Sequence, residues 1–249
     1  MLASIRRRFP MLPAVLLLGA ALAVVPAALA GIPSPAYPAK AKVGAIKPAE
    51  WVAHYFQWFY GIPDGYHPLY DNAGDYAGIG QRGPVWFLPP GVGGDAITRD
   101  IRIPAGVALF FPVRYSEYDN AGKIPSGFLT STALYGIVKA DIDSVDISGY
   151  FCTVDGGQPT EFSLADLAKR RIKSTVFSYG VGPDTLPTFF PAPTPALGEM
   201  VNPAVADGYW VMLKPMTVGT HTVAFGRGVG DVNLDWTLTF NITVAAVQE

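Results

Sequence analysis

The acids and the one histidine that could do chemistry fall mainly in two stretches of the chain. Tyr70-Asp71-Asn72-Ala73-Gly74 recurs as Tyr118-Asp119-Asn120-Ala121-Gly122, and each copy has another acid beside it, Asp75 or Glu117. Ca²⁺ is held by carboxylate, amide and backbone carbonyl oxygens. Asp71, Asp75, Glu117 and Asp119 are therefore candidate Ca²⁺ ligands. Two carboxylates facing each other across a cleft can hydrolyse a glycosidic bond. On that chemistry the candidate catalytic residues are His67, Asp71, Asp75 and Glu117, with His67 lying between Asp64 and Asp71. A plainer reading stands beside these. Asp-Asn-x-Gly is ordinary turn chemistry, in which the carboxylate caps its own backbone and the glycine takes a positive φ.

Other signatures are weaker or missing. His54, His67 and His221 could in principle share a metal, but they read more simply as a helix-surface residue, a loop residue and a strand residue. Asp141, Asp143 and Asp146, near a helix end, read as solvated acids. Gly78-Ile79-Gly80-Gln81-Arg82-Gly83 matches G-x-G-x-x-G, yet Pro84 and an apolar strand follow where a dinucleotide fold needs a helix. No cofactor is expected there, and the glycines serve a tight turn. The chain has no G-x-S-x-G elbow, no H-E-x-x-H and no Walker loop. Cys152 is the one cysteine. It reads as a small buried hydrophobe rather than a nucleophile.

The elements that must hold these residues are mostly short strands. Residues 49–60 form a helix after Pro48, with Trp51, Tyr55, Trp58 and Phe59 on one face and His54 and Gln57 toward its polar side. Residues 61–84 read as a long loop, of the kind that in a compact domain tends to be functional. Strands follow at 85–88, 96–103 and 107–113, the last apolar throughout and so buried on both faces. Residues 114–129 read as a second loop. A helix with Thr130 or Ser131 as its cap covers 130–142. Strands at 145–154 and 160–164 flank an Asp155-Gly156-Gly157-Gln158 hairpin signal. A short helix fits 164–171, and residues 178–206 read as irregular. Strands at 209–213 and 221–225 come next. Residues 236–244 alternate apolar and polar side chains, the pattern of a half-buried antiparallel strand.

Composition sets the class. Half of the 249 residues are apolar and 15% are charged, which excludes a disordered chain. A single cysteine excludes a disulfide scaffold, and a net charge of −2 gives no basic footprint for nucleic acid. Residues 1–30 read as a cleaved secretory signal peptide. Arg6, Arg7 and Arg8 form its basic start, Leu12 to Val25 its apolar run, and Ala28-Leu29-Ala30 its processing site. Arg6-Arg7-Arg8-Phe9 also fits the core of a twin-arginine signal. Losing those three arginines takes the charge from −2 to −5. No second apolar run is long enough to span a membrane. Residues 31–48 then form a Pro-rich leader, and 49–249 a single β-rich domain. Many short strands without βα alternation predict an all-β fold, a sandwich or jelly roll with two or three short peripheral helices.

Several motifs carry a resemblance. Gly83-Pro84-Val85-Trp86-Phe87-Leu88, Pro104-Ala105-Gly106, Leu109-Phe110-Phe111-Pro112, Asp207-Gly208-Tyr209-Trp210 and Gly219-Thr220-His221-Thr222-Val223 resemble those of a group of exported bacterial proteins of unassigned function. The likeness runs over about residues 50–245. Some members carry cysteines near Tyr76 and Ile101, which this chain lacks. The resemblance implies secretion and a β-rich domain, and implies no reaction. Two functions are expected from the whole. One is a secreted or periplasmic β-sandwich binding or envelope-associated protein for a glycan or another extracytoplasmic ligand, with Tyr55, Trp58, Tyr66, Tyr70, Tyr76, Tyr115 and Tyr118 as possible stacking rings. The alternative is an exported hydrolase or lyase, with or without a metal, using the acids and His67 in loops 61–84 and 114–129.

Overall fold

The alternating residues of the C-terminal region build the first sheet edge by edge. β9 (Trp236–Ala245) buries Leu238, Phe240, Ile242 and Val244 and turns the side chains between them outward. Its neighbour β8 (Gly219–Arg227) pairs antiparallel with it, and β4 (Tyr150–Val154) pairs antiparallel with β8. On its other edge β9 pairs parallel with β2 (Ile97–Pro104). The expected antiparallel strand at 236–244 is thus antiparallel on one side and parallel on the other, because β2 enters from the far sheet rather than by a hairpin.

The second sheet centres on two long strands, β3 (Ala108–Asp119) and β7 (Met200–Leu213), paired antiparallel. β1 (Val85–Phe87) runs parallel to β3, while β5 (Arg171–Lys173) and β6 (Phe177–Gly180) both pair with the outer edge of β7. These elements come from a computed structural model. It describes residues 34–91, 96–122, 127–156, 164–182, 198–228 and 236–246. The signal peptide at 1–30, the strand at 160–164 and half of the 155–158 turn lie outside the described residues.

The 108–113 run is apolar throughout because both of its faces are covered. Leu109, Phe111 and Val113 join Val211 and Leu213 in a core shared with Phe225, Leu238, Phe240 and Ile242 of the other sheet. Phe110 faces the opposite way and joins Trp210 and Met212 against α1 (Pro48–Tyr60). That helix starts as the sequence suggests. Pro48 sits in its first turn, and the Glu50 carboxylate accepts the Lys47 N–H at 2.8 Å. Trp51, Tyr55, Trp58 and Phe59 are buried, and His54 and Gln57 are exposed. Tyr55 packs edge-on to Trp210 with ring centres 5.1 Å apart, and its hydroxyl donates to the Leu88 carbonyl. Each fully buried ring of this kind contributes about 1.5–3 kcal/mol.

α2 (Ser131–Asp143), capped by Thr130, lays Leu134 and Val138 on Val205 of β7. Arg171 fixes its far end by binding Asp207 of β7 and Asp143 of α2 together. α3 (Leu164–Lys169) is a short connector before β5. The expectation of a strand-rich fold with few helices therefore holds, and both sheets are mixed.

Several stretches differ from expectation. The strand expected at 145–154 begins only at Tyr150, after a 3-10 turn at Ile147–Gly149, and 178–180 belong to β6 rather than to irregular chain. Residues 114–119 are the second half of β3 rather than loop, and 200–206 are the first half of β7 rather than irregular chain. The half-strands of β3 and β7 are disguised by breakers or polarity. Pro203 lies where the β6–β7 register shifts, a place where a strand tolerates proline. Arg114 follows a register shift in β3, beyond which the strand leaves the apolar core and becomes polar.

Candidate functional site

Each residue singled out by sequence has a definite place. His67 is 3% exposed, inside the 61–84 loop. Its Nε2–H donates to the Phe59 carbonyl at 2.9 Å, and its Nδ1 accepts the Leu69 N–H at 3.2 Å. Both ring nitrogens thus serve the backbone. Burial holds the imidazole below its ordinary pKa, partly offset by the Phe59 carbonyl and Asp64, so it is kept neutral. Asp71 is also internal. Its Oδ1 accepts the N–H groups of Ala73 and Gly74, and its Oδ2 accepts that of Tyr76 at 2.6 Å. Asp75 is exposed.

The centre of this loop is Arg99, which is fully buried. It donates to four backbone carbonyls, those of Leu69, Asp71, Pro89 and Pro90, at 2.7–3.2 Å. Its guanidinium also lies 5.6 Å from the centre of the Phe240 ring. Burial lowers its pKa, opposed by the nearby Asp71 charge. A cation without water is tolerable because four of its five N–H groups are bonded. The expected active loop is thus a knot tied by His67, Asp71 and Arg99, whose polar atoms are directed at backbone. The G-x-G-x-x-G stretch is likewise a turn into β1. The Trp58 indole donates to the Ile79 carbonyl, and the Gln81 amide bonds to Phe87 in both directions.

The second acidic copy is used differently. Asp119 ends β3. Its Oδ1 accepts the Ala121 N–H at 2.7 Å, and its Oδ2 accepts the Tyr179 hydroxyl. Glu117, two residues earlier on the strand, accepts the Tyr60 hydroxyl at 2.8 Å. The Tyr60 and Tyr179 rings stack with centres 4.2 Å apart. Burial first, and these carboxylates second, push both phenols far above their ordinary pKa. Tyr115 is pushed up to about 12 by burial and Glu117, with Arg114 pulling the other way. These tyrosines remain protonated donors at any physiological pH.

Among the described residues, no three His, Cys, Asp or Glu side chains form a group able to hold a metal ion. Asp71, Asp75, Glu117 and Asp119 are therefore not gathered into one ligand set, and neither are the three histidines. His221 instead bridges two turns, with Nδ1–H donating to Asp155 at 2.8 Å and Nε2–H to the Thr217 carbonyl at 2.9 Å. Asp141 accepts the Ser116 hydroxyl, Asp143 pairs with Lys139 and Arg171, and Asp146 accepts two bonds from Ser148. These three are engaged with protein rather than only solvated. Cys152 is buried, as expected.

One cavity of about 850 Å³ brings together groups from separate parts of the chain. The polar half of β3 supplies Arg114, Tyr115, Ser116 and Glu117, and Tyr60 enters from the end of α1. The end of α2 and the chain after it supply Asp141, Ser144 and Asp146. β4, β8 and β9 supply Tyr150, Arg227 and Trp236. Trp236 lies edge-on to Tyr150 and Phe225, with ring centres 6.4 and 6.5 Å apart. Arg227 reaches over the Tyr150 ring at 6.0 Å. Of the residues expected to act, Glu117 lines this cleft, as does Tyr115 of the expected stacking rings. Tyr55 and Trp58 are core, and Tyr66, Tyr70, Tyr76 and Tyr118 are exposed.

Arg114, in the middle of β3, and Tyr150, Arg227 and Trp236, at strand ends, escape sequence reasoning because they meet only in the folded chain. Trp236 and Arg227 do carry one signal: they are register partners where β8 and β9 begin to part. No family model matches the chain, no curated protein matches it, and no solved structure matches it. Among the described residues, no helix is long and apolar enough to cross a membrane.

Proposed function

We propose that this is an exported binding protein, secreted or periplasmic, that holds a glycan or similar polyhydroxylated ligand in the 850 Å³ cleft. The two sheets are read as a sandwich-type frame whose strand ends and flanking helices build the site. The observation that carries the proposal is the lining. Trp236, Tyr150, Tyr60 and Tyr115 offer ring surface, and Arg114, Arg227, Ser116 and Glu117 offer hydrogen-bonding groups around it. The volume is in the usual range for a ligand site. Aromatic rings with a wet edge suit the flat apolar face of a sugar. The signal-like N-terminus and the resemblance to exported proteins support the location.

The hydrolase alternative retains Glu117, which shares the cleft with Asp141. It has lost His67 and Asp71 to backbone hydrogen bonding. A glycan array probed with the mature chain tests the proposal. Binding that Trp236→Ala and Tyr150→Ala each weaken by up to about tenfold, with the thermal midpoint kept, is the expected result. Binding indifferent to both substitutions rejects the cleft. Release of reducing ends from a bound glycan, lost in Glu117→Gln, would favour the hydrolase.

A further inference from the structure

The cleft's acids and its arginines are in different states. Asp141 accepts the Ser116 hydroxyl at 2.8 Å, and Glu117 accepts the Tyr60 hydroxyl at 2.8 Å. Asp146 accepts both the N–H and the hydroxyl of Ser148. Each acid is already receiving a donor. The arginines have donors to spare. Neither Arg114 nor Arg227 forms an ion pair among the described residues. One Nη of Arg114 donates to the Tyr115 carbonyl, which leaves most of its five N–H groups unspent. Among the described residues, the Nε of Arg227 is buried without a hydrogen-bond partner. The stem of this side chain lies against Gly149, where any Cβ would come within 3.2 Å of its Cγ and Nε. The guanidinium is thus seated between a bare backbone position and the Tyr150 ring, with a donor unanswered.

A buried donor left unfilled costs about 1–3 kcal/mol. The enclosed Nε cannot itself be reached from the cleft, but the Nη groups are not enclosed with it, and they bond best to a negatively charged acceptor, because charge-assisted bonds are about twice as strong as neutral ones. A guanidinium matches the two oxygens of a carboxylate or phosphate in a way an ammonium does not.

Resting on the glycan-cleft reading, we propose that the cleft selects ligands bearing an anionic oxygen group beside a flat ring face. Arg227 is the main anchor for the charge, Arg114 the second, and Trp236 and Tyr150 take the ring face. A uronic-acid sugar has this chemistry, and so does a sugar phosphate. Glu117, Asp141 and Asp146 stay charged while accepting these bonds, and Asp146 also feels the Arg227 charge, so the ligand's anion must compete with Asp146 for that arginine.

The test titrates the mature chain with tetragalacturonate, its fully methyl-esterified form and glucose 6-phosphate, reading heat and tryptophan fluorescence. The acid should bind at least about tenfold tighter than the ester, and its affinity should fall as salt is raised. Arg227→Gln should remove the preference for the acid while sparing the ester, and Arg227→Lys should restore only part of it. Arg114→Gln should weaken the acid by a smaller factor and serves as a second variant if Arg227→Gln unfolds. Tighter binding of glucose 6-phosphate than of the uronate, also lost in Arg227→Gln, would assign the anion to a phosphate and uphold the proposal. Equal binding of acid and ester overturns the proposal but leaves the cleft reading standing. No binding of any probe at millimolar concentration, by heat or by fluorescence, overturns both.

Discussion

The two Tyr-Asp-Asn-Ala-Gly segments are the same turn put to different uses. In each, the aspartate Oδ1 accepts the N–H of the alanine two residues on, and the glycine takes a positive φ. The pentapeptide specifies that much by itself. Its remaining contacts depend on where the chain carries it. The first copy lies within a loop, so the other oxygen of Asp71 closes on Tyr76 and the segment wraps Arg99. The second copy ends a strand, so the other oxygen of Asp119 reaches Tyr179, and Asn120 clamps Leu129 by two bonds. Asn72, its counterpart, is exposed. The first region is a closed scaffold, and the second stands two residues beyond the cleft residue Glu117. Sequence identity over five residues thus marks a shared turn and not a shared site.

The largest effect should come from the knot itself. Arg99→Met leaves four buried carbonyls without their donor and should cost about 3–5 kcal/mol of stability. A cost under about 1 kcal/mol in a denaturant titration would show that the loop does not depend on Arg99. Next, the two aspartates should differ under one substitution. In Asp71→Asn an amide N–H₂ must face the Tyr76 N–H, donor against donor, or leave the turn N–H groups unmet. A loss of about 1.5–3 kcal/mol is expected. In Asp119→Asn the amide can donate to the Tyr179 oxygen instead, so about 0.5–1.5 kcal/mol is expected. Equal losses would erase the distinction drawn between the copies.

The histidines extend the contrast to pH. The folded pKa of His67 is lowered from 6.5 by burial. Its contribution is complete above about that pH and is lost as pH falls below it. The folded pKa of His221 is raised from 6.5, first by its bond to Asp155. Its contribution is complete below pH 6.5 and is lost as pH rises through the folded value. Stability measured across pH 5 to 8 should therefore keep an acid-side slope in His221→Gln and an opposite, neutral-side slope in His67→Gln. The same slope in both variants would contradict the assignment. The His221–Asp155 pair is partly exposed, so removing it should cost only about 0.2–1 kcal/mol. Smallest of all, millimolar Ca²⁺ should leave the thermal midpoint unmoved, since the Asp71 and Asp119 oxygens already accept protein donors. A clear rise would show that a site assembles after all.

Much of the frame was legible in the sequence. The aromatic face of α1, the alternation of β9 and the doubly buried run of β3 each follow from periodicity alone. Arg99 was legible too. It occupies the inward register of β2 with Ile97, Ile101 and Ile103, and a cation on that face must find buried acceptors. The polar half of β3 was not legible, because Arg114 to Asp119 look like loop until the neighbouring β7 supplies their partners. The cleft was least legible. Its rings and charges come from strands more than a hundred residues apart, such as Tyr115 of β3 and Trp236 of β9, and no local pattern records that meeting.

The central claim is that ligand recognition lies in the cleft and not in the 61–84 loop. Tyr66 and Tyr76 of that loop are exposed and pack edge-on at 5.6 Å, so they are the fairest rival rings. The deciding measurement is the affinity for one oligosaccharide of the mature chain, of Trp236→Ala, and of a Tyr66→Ala, Tyr76→Ala double variant. Trp236→Ala should weaken binding by up to about tenfold, the worth of one good ring contact, while the double variant binds as the parent does. Loss of binding in the double variant with Trp236→Ala unaffected would move the site to the loop and contradict the account.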